Sequence, residues 1–130
     1  MMEAQWRTKE QEMAKYAWEE VNSVKDKSWA KEYRSIVLKA PSLILACGLG
    51  QTLAFLLSKA EGKMENAHGA LYAQISKWTA KEVYQRDGDL LQLVMEGDAH
   101  KYRLATMEVL SLLGWIKRFT EALIERGEEE

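Results

Sequence analysis

Cysteine is almost absent from this chain. A single residue, Cys47, excludes an internal disulfide and a thiolate metal cluster, and a reducing, cytoplasmic setting is the expectation. Histidine is nearly as scarce. His68 and His100 each lack a neighbouring His, Cys or paired carboxylate at ligand spacing, so no metal site and no cofactor are expected. One proline and eight scattered glycines argue against a low-complexity or disordered body. No apolar run approaches the roughly 20 residues that a bilayer demands, and the polar opening of the chain has no secretory character. Period-2 alternation is missing throughout, which excludes a sheet.

What is present is helical pattern. At 130 residues and 47% apolar content, with five Trp and five Tyr, the chain suits one domain of useful core size. Residues 1–124 read as that domain and 125–130 as an acidic tail. The formal net charge is −2; removing the tail, with its four acids and one base, leaves 17 bases against 16 acids. The body is therefore charge-balanced, and any basic surface is a local patch.

The most apolar stretch, residues 41–59 (PSLILACGLGQTLAFLLSK), reads as a buried central helix because Leu43, Ile44, Leu45, Leu49, Leu53, Phe55, Leu56 and Leu57 surround its helical wheel. Pro41 suits its first turn, and a preceding helix is expected to end before it. Gly48 and Gly50 inside it suggest close approach by another helix or chain. A phosphate-cradling Gly-x-Gly is weakly supported, since no strand precedes it and the third glycine is replaced by Leu53. The remaining helices are expected at 3–24, with an apolar stripe of Trp6, Met13, Ala17, Val21 and Val24; at 29–39, capped by Asp26 or Ser28; at 67–84, capped by Asn66; at 90–96, ending at Gly97; and at 99–124, opened by Asp98. The whole reads as an all-α compact bundle of five to six helices.

Catalysis lacks a constellation. Cys47 on an apolar helix reads as a packing residue rather than as a nucleophile served by His68 or His100. No short Gly-containing turn followed by a basic helix indicates an independent DNA-binding module. Charge on helices remains. Lys27, Lys31 and Arg34 share one face, and Arg103 and Lys117 share a stripe 14 residues apart, about 21 Å along a helix. Such charges can follow a nucleic-acid backbone without reading bases, or stand as solvated helix edges. Of the tryptophans, Trp18 is adjacent to its stripe and is the best candidate for an exposed contact aromatic.

Four blocks resemble the small subunit of type III-B (Cmr-type) CRISPR RNA-guided effector complexes. They are Tyr16-Ala17 with Val21; Tyr33 to Lys39; Pro41-Ser42-Leu43-Ile44 with Gly48-Leu49-Gly50-Gln51 and Leu53-Ala54-Phe55-Leu56-x-Ser58-Lys59; and Tyr102-Arg103-x-x-Thr106-x-Glu108 leading into Trp115-Ile116-Lys117-Arg118-Phe119-x-x-Ala122. The chain departs from the family at Cys47, where the resemblance implies a polar residue. The resemblance implies an all-helical, non-enzymatic subunit of antiviral defence, stacked in several copies beside a filament of backbone subunits, in a complex with a large subunit, and touching guide and target RNA. Base pairing would then read sequence and protein would read shape and charge. Lys27, Lys31, Arg34, Lys39, Lys59, Arg103, Lys117 and Arg118 are the candidate RNA-contacting residues. The competing expectation is a helical adaptor or dimerisation module with no nucleic-acid partner.

Overall fold

The structure is a computed structural model that describes residues 7–127. Six helices follow in order: α1 (Lys9–Val24), α2 (Ala30–Cys47), α3 (Leu49–Ala60), α4 (Ala67–Tyr84), α5 (Leu90–Glu96) and α6 (Ala99–Leu123). Among the described residues there is no strand, as the missing alternation requires.

Each helix starts or stops for a local reason. α1 begins at a capping box: the Thr8 hydroxyl accepts from the Gln11 amide at 3.0 Å, and Gln11 Oε1 accepts from the Thr8 amide at 2.8 Å. It starts later than the expected residue 3; Trp6 lies outside the described residues. Asn66 and Asp98 cap α4 and α6 as expected, accepting from Gly69 N at 2.9 Å and Lys101 N at 2.8 Å. α2 has no side-chain cap; Trp29, not Asp26 or Ser28, occupies the cap position. Nor does Asp89 cap α5 itself. Instead α4 supplies the acceptors, the Ser76 hydroxyl for Leu90 N at 3.0 Å and the Tyr72 hydroxyl for Leu91 N at 3.0 Å, while Tyr72 donates to Asp89.

Pro41 does not begin a helix. It lies inside α2, which runs through it to Cys47. Proline removes one bond and disfavours the helical conformation of Ala40, at about 3 kcal/mol in a helix interior. The burial of Val37, Ala40 and Ile44 on the same face outweighs that cost. The break comes at Gly48, whose φ of 91° and ψ of 160° only glycine adopts readily. Its amide closes α2 on the Ile44 carbonyl at 2.8 Å, and its carbonyl opens α3 by accepting from the Thr52 hydroxyl at 2.9 Å. The stretch 41–59 is therefore two helical pieces around a sharp corner, with Leu45 77% and Phe55 40% exposed.

The buried central helix is α4. Eleven of its 18 residues are buried, and it packs on α2, α3, α5 and α6. Gln74 is its centre: Oε1 accepts from Tyr33 at 2.6 Å, its carbonyl accepts from Tyr16 at 2.7 Å, and its amide reaches the Glu20 carbonyl at 3.3 Å. Burial lifts the Tyr16 and Tyr33 phenols far above their ordinary range, so both remain donors at any physiological pH. α6 runs parallel to α1, with Lys9 on Glu108 at 2.9 Å and Trp18 edge-on to Phe119 at 5.1 Å between centroids. It runs antiparallel to α2, with Ala30 beside Ile124 at one end and Gly50 beside Tyr102 at the other.

Two substitutions test this arrangement by urea denaturation. Gly48→Ala is expected to lower stability by about 1–3 kcal/mol, the cost of holding alanine in a glycine-only conformation; an unchanged midpoint would show that the corner relaxes. Tyr33→Phe leaves buried Gln74 Oε1 without its donor and is expected to lose about 1–3 kcal/mol, against a negligible loss for the exposed control Lys39→Gln.

Candidate nucleic-acid interface

The eight basic candidates do not converge on one compact site; they are spread along the length of the bundle. Lys27 and Lys31 sit at the α1–α2 corner, where with Lys25 they line a shallow groove shared with Ile124 and Glu125. Arg103 is at the far end of α6, on a groove with Val94, Tyr102 and Met107. The antiparallel course of α2 and α6 enforces this separation. Lys39 is exposed midway along α2, and Lys117 is half-buried on α6. Arg118 reaches Glu121 at 3.7 Å. Arg34 is half-buried on α2.

Lys59 has a different environment. Its ammonium lies 6.0 Å from the centroid of the Phe55 ring, which in turn meets His68 edge-on at 5.9 Å. His68 Nδ1 is 3.9 Å from Glu32. Partial burial lowers the His68 pKa, Glu32 opposes that shift and Lys59 adds to it, so the imidazole is held below its ordinary value. At neutral pH Lys59 is therefore the cation of this cluster.

The charges that remain uncommitted define the surface. Lys27, Lys31, Lys39, Arg103 and Lys117 form no ion pair among the described residues. By contrast, the charges between α1 and α6 are engaged internally: Glu108 accepts from Trp78 Nε1 at 2.8 Å and from Lys9 at 2.9 Å, joining three helices. Trp18 is 44% exposed, though its edge is occupied by Phe119.

The glycine pair has an internal explanation. The Gly50 amide donates to the Tyr102 hydroxyl at 2.8 Å, and a Cβ on Gly50 would lie 3.2 Å from that oxygen. Tyr102 of α6 thus approaches the start of α3 closely, where any side chain would crowd it. The two glycines do not form a phosphate loop, because the amide is taken. Cys47 is exposed rather than packed: it follows exposed Leu45 and Ala46 at the end of α2, and the chain regains the core only past Gly48, at Leu49. His100 is also exposed, and no hydrogen bond joins it to Cys47. Among the described residues no group of three or more His, Cys, Asp or Glu side chains is placed to hold a metal ion, and no helix is long and apolar enough to cross a membrane.

Sequence reasoning missed Gln74, Tyr72 and Ser76 as organisers, because a buried polar residue on a helix looks like a solvated one. Glu108 was within reach, as the sole acid on α6 between Arg103 and Lys117. Its partner was not, because the contact with Trp78 depends on α4 and α6 running antiparallel, as Lys101 on the Val83 carbonyl also shows.

Comparison with known proteins fits this architecture. The family described as CRISPR-associated protein (Cas_Cmr5) matches residues 9–123, all six helices. A protein of Thermus thermophilus named CRISPR system Cmr subunit Cmr5 is 36% identical over 119 residues, covering 92% of this chain and 98% of its own length. The X-ray crystal structure of a CRISPR-associated Cmr5 family protein from the same organism superposes with a TM-score of 0.76 at 35% identity, covering 92% of this chain and all of that one. With both ends of the fold and nearly the whole chain matched, this protein belongs to the Cmr5 family of CRISPR-associated proteins.

Proposed function

We propose that this chain is a non-catalytic small subunit of a type III-B CRISPR effector complex, that it stacks in several copies beside the backbone subunits, and that it contacts the guide–target RNA through its cations. Family membership supports the place in a Cmr complex. The observation that carries the RNA contact is the set of cations without an ion-pair partner, Lys27, Lys31, Lys39, Arg103 and Lys117, set along α2, its entry and α6. Cations left without acids repel one another and gain most from a polyanion, which releases its counterions when they bind.

The proposed role requires no catalytic side chain. A subunit that holds a duplex by its backbone needs charges at intervals along a rigid frame, and helices fixed by a buried polar knot supply that frame. Lys31 and Lys39 lie on α2, and Lys27 lies in the turn that leads into it, so a single helix and its entry set their spacing. Arg34, Lys59, Arg103, Lys117 and Arg118 complete the proposed contacts, with Lys59 acting beside Phe55.

Two measurements test this reading. The triple replacement Lys27→Gln, Lys31→Gln, Lys39→Gln should leave the fold intact and reduce the slope of log affinity against log salt for RNA bound to the assembled complex by about 2–3; an unchanged slope places the RNA contact elsewhere. Gentle purification of the tagged protein from its host should recover a repeat-built backbone subunit, a large subunit and short RNAs sharing a constant 5′ segment. Recovery of protein partners alone, with nuclease inhibited, would instead identify an adaptor without nucleic acid.

A further inference from the structure

α6 carries a glycine where nothing inside the protein requires one. Gly114 is exposed near the middle of a 25-residue helix, and a Cβ built on it meets no atom within 4 Å. Glycine is the least favourable helix residue apart from proline. Others in this chain have an evident reason: Gly48 has a φ of 91°, Gly50 faces Tyr102, and a Cβ on Gly69 would collide with the Lys63 carbonyl at 1.9 Å. Gly114 has open space.

Its surroundings carry a cation on either side. Arg103, Met107, Leu110, Gly114 and Lys117 follow at steps of four, three, four and three, which puts them on one face of α6. Arg103 and Lys117 form no ion pair among the described residues, whereas Arg118, at the same end, is paired with Glu121 at 3.7 Å. The single acid in the span, Glu108, is turned inward onto Trp78 and Lys9. Between residues 103 and 118 the face therefore presents cations about 21 Å apart around a low centre made by Met107, which is 60% exposed, Leu110 and the bare backbone of Gly114.

We propose that an RNA sugar–phosphate strand crosses α6 at Gly114, its backbone lying in the notch left by the missing side chain, with phosphates held by Lys117 on one side and Arg103 on the other. The proposal rests on the RNA-contacting role given above and adds the path of the strand. Charge selects the occupant: Arg103 and Lys117 flank the notch with no acid partner, the acid beyond them, Glu121, is taken up by Arg118, and a glycine allows closer approach of two backbones than any other residue. Met107 and Leu110 offer ribose and base an apolar floor.

The test uses the assembled effector complex with Gly114→Ala, Gly114→Gln and Gly114→Glu. All three add a better helix former in open space, so each is expected to melt at or above the wild-type temperature. RNA retention is expected to fall several-fold for Gln, by bulk, and further for Glu, with the Glu effect largest at low salt. Trypsin cuts after Arg103 and Lys117, so photocrosslinking of RNA containing 4-thiouridine should label the single peptide 104–117 in the wild type and lose that label in the Glu variant. Wild-type retention by both the Gln and Glu variants in an intact complex overturns the proposal. If the α2 triple replacement still loosens RNA in that case, the RNA-contacting role stands and the strand runs elsewhere; if neither affects RNA, that role falls as well. Loss of the subunit from the complex on Gly114→Gln, without any 104–117 crosslink in the wild type, would make this face a protein seam and overturn the proposal equally.

Discussion

The fold depends on how one buried amide is satisfied. Gln74 is 3% exposed, and a polar side chain at that depth costs several kcal/mol unless every group finds a partner. It finds them on two other helices: Oε1 accepts from Tyr33 of α2 and Nε2 donates to the Glu20 carbonyl of α1, while Tyr16 of α1 donates to the Gln74 main-chain carbonyl. Apolar packing tolerates small sliding of one helix along another; a hydrogen-bonded knot does not, because a shift of an ångström or two leaves donors unpaired in a low-dielectric interior. The register of three helices is thereby fixed at one point. The Glu20 side chain is half-buried beside it, and burial pushes its carboxyl up, with Lys77 opposing and Glu19 adding to the shift.

From that fixed point the outer parts follow. α4 has small and polar side chains at Ala67, Gly69, Ala70, Ser76, Thr79 and Ala80, which let its neighbours come close on several sides. Tyr72 and Ser76 then hold the start of α5, and Asn66 holds the loop before α4 by bonding both the Gly69 amide and the Ala60 carbonyl. α6 closes the remaining side, gripping the α2–α3 corner with Tyr102 and α1 with Glu108. The cations are what this frame leaves outside, which is why they fall along edges and not in a cleft.

Much of this was legible in the sequence. The stripe Met13, Ala17, Val21 and Val24 is buried as its spacing requires, and so are Tyr33, Ile36, Val37 and Ala40 on α2. Asn66, Gly97 and Asp98 mark helix ends through chemistry that acts within four residues, so local reading finds them. The centre of the bundle was not legible. Counting apolar residues selects 41–59, whereas the buried helix is α4, whose interior role comes from smallness and internal hydrogen bonding. Proline likewise misleads at position 41, because a tertiary gain spread over Val37, Ala40 and Ile44 overrides a local penalty. The cations were identifiable one by one, but their dispersal required knowing that α2 and α6 run in opposite directions.

The pairing of α1 with α6 has a consequence for synthesis. Lys9 and Glu108 are 99 positions apart, and the apolar face of the first helix lies largely against the last. As the chain leaves the ribosome, Met13, Ala17, Val21 and Val24 have only part of their final cover until α6 has emerged. Loop closure over that distance delays the final packing, so the bundle completes itself late and nearly at once. A product truncated before α6 would present those four apolar side chains, and the α2–α3 corner without Tyr102, to the chaperones and proteases that recognise unfinished chains.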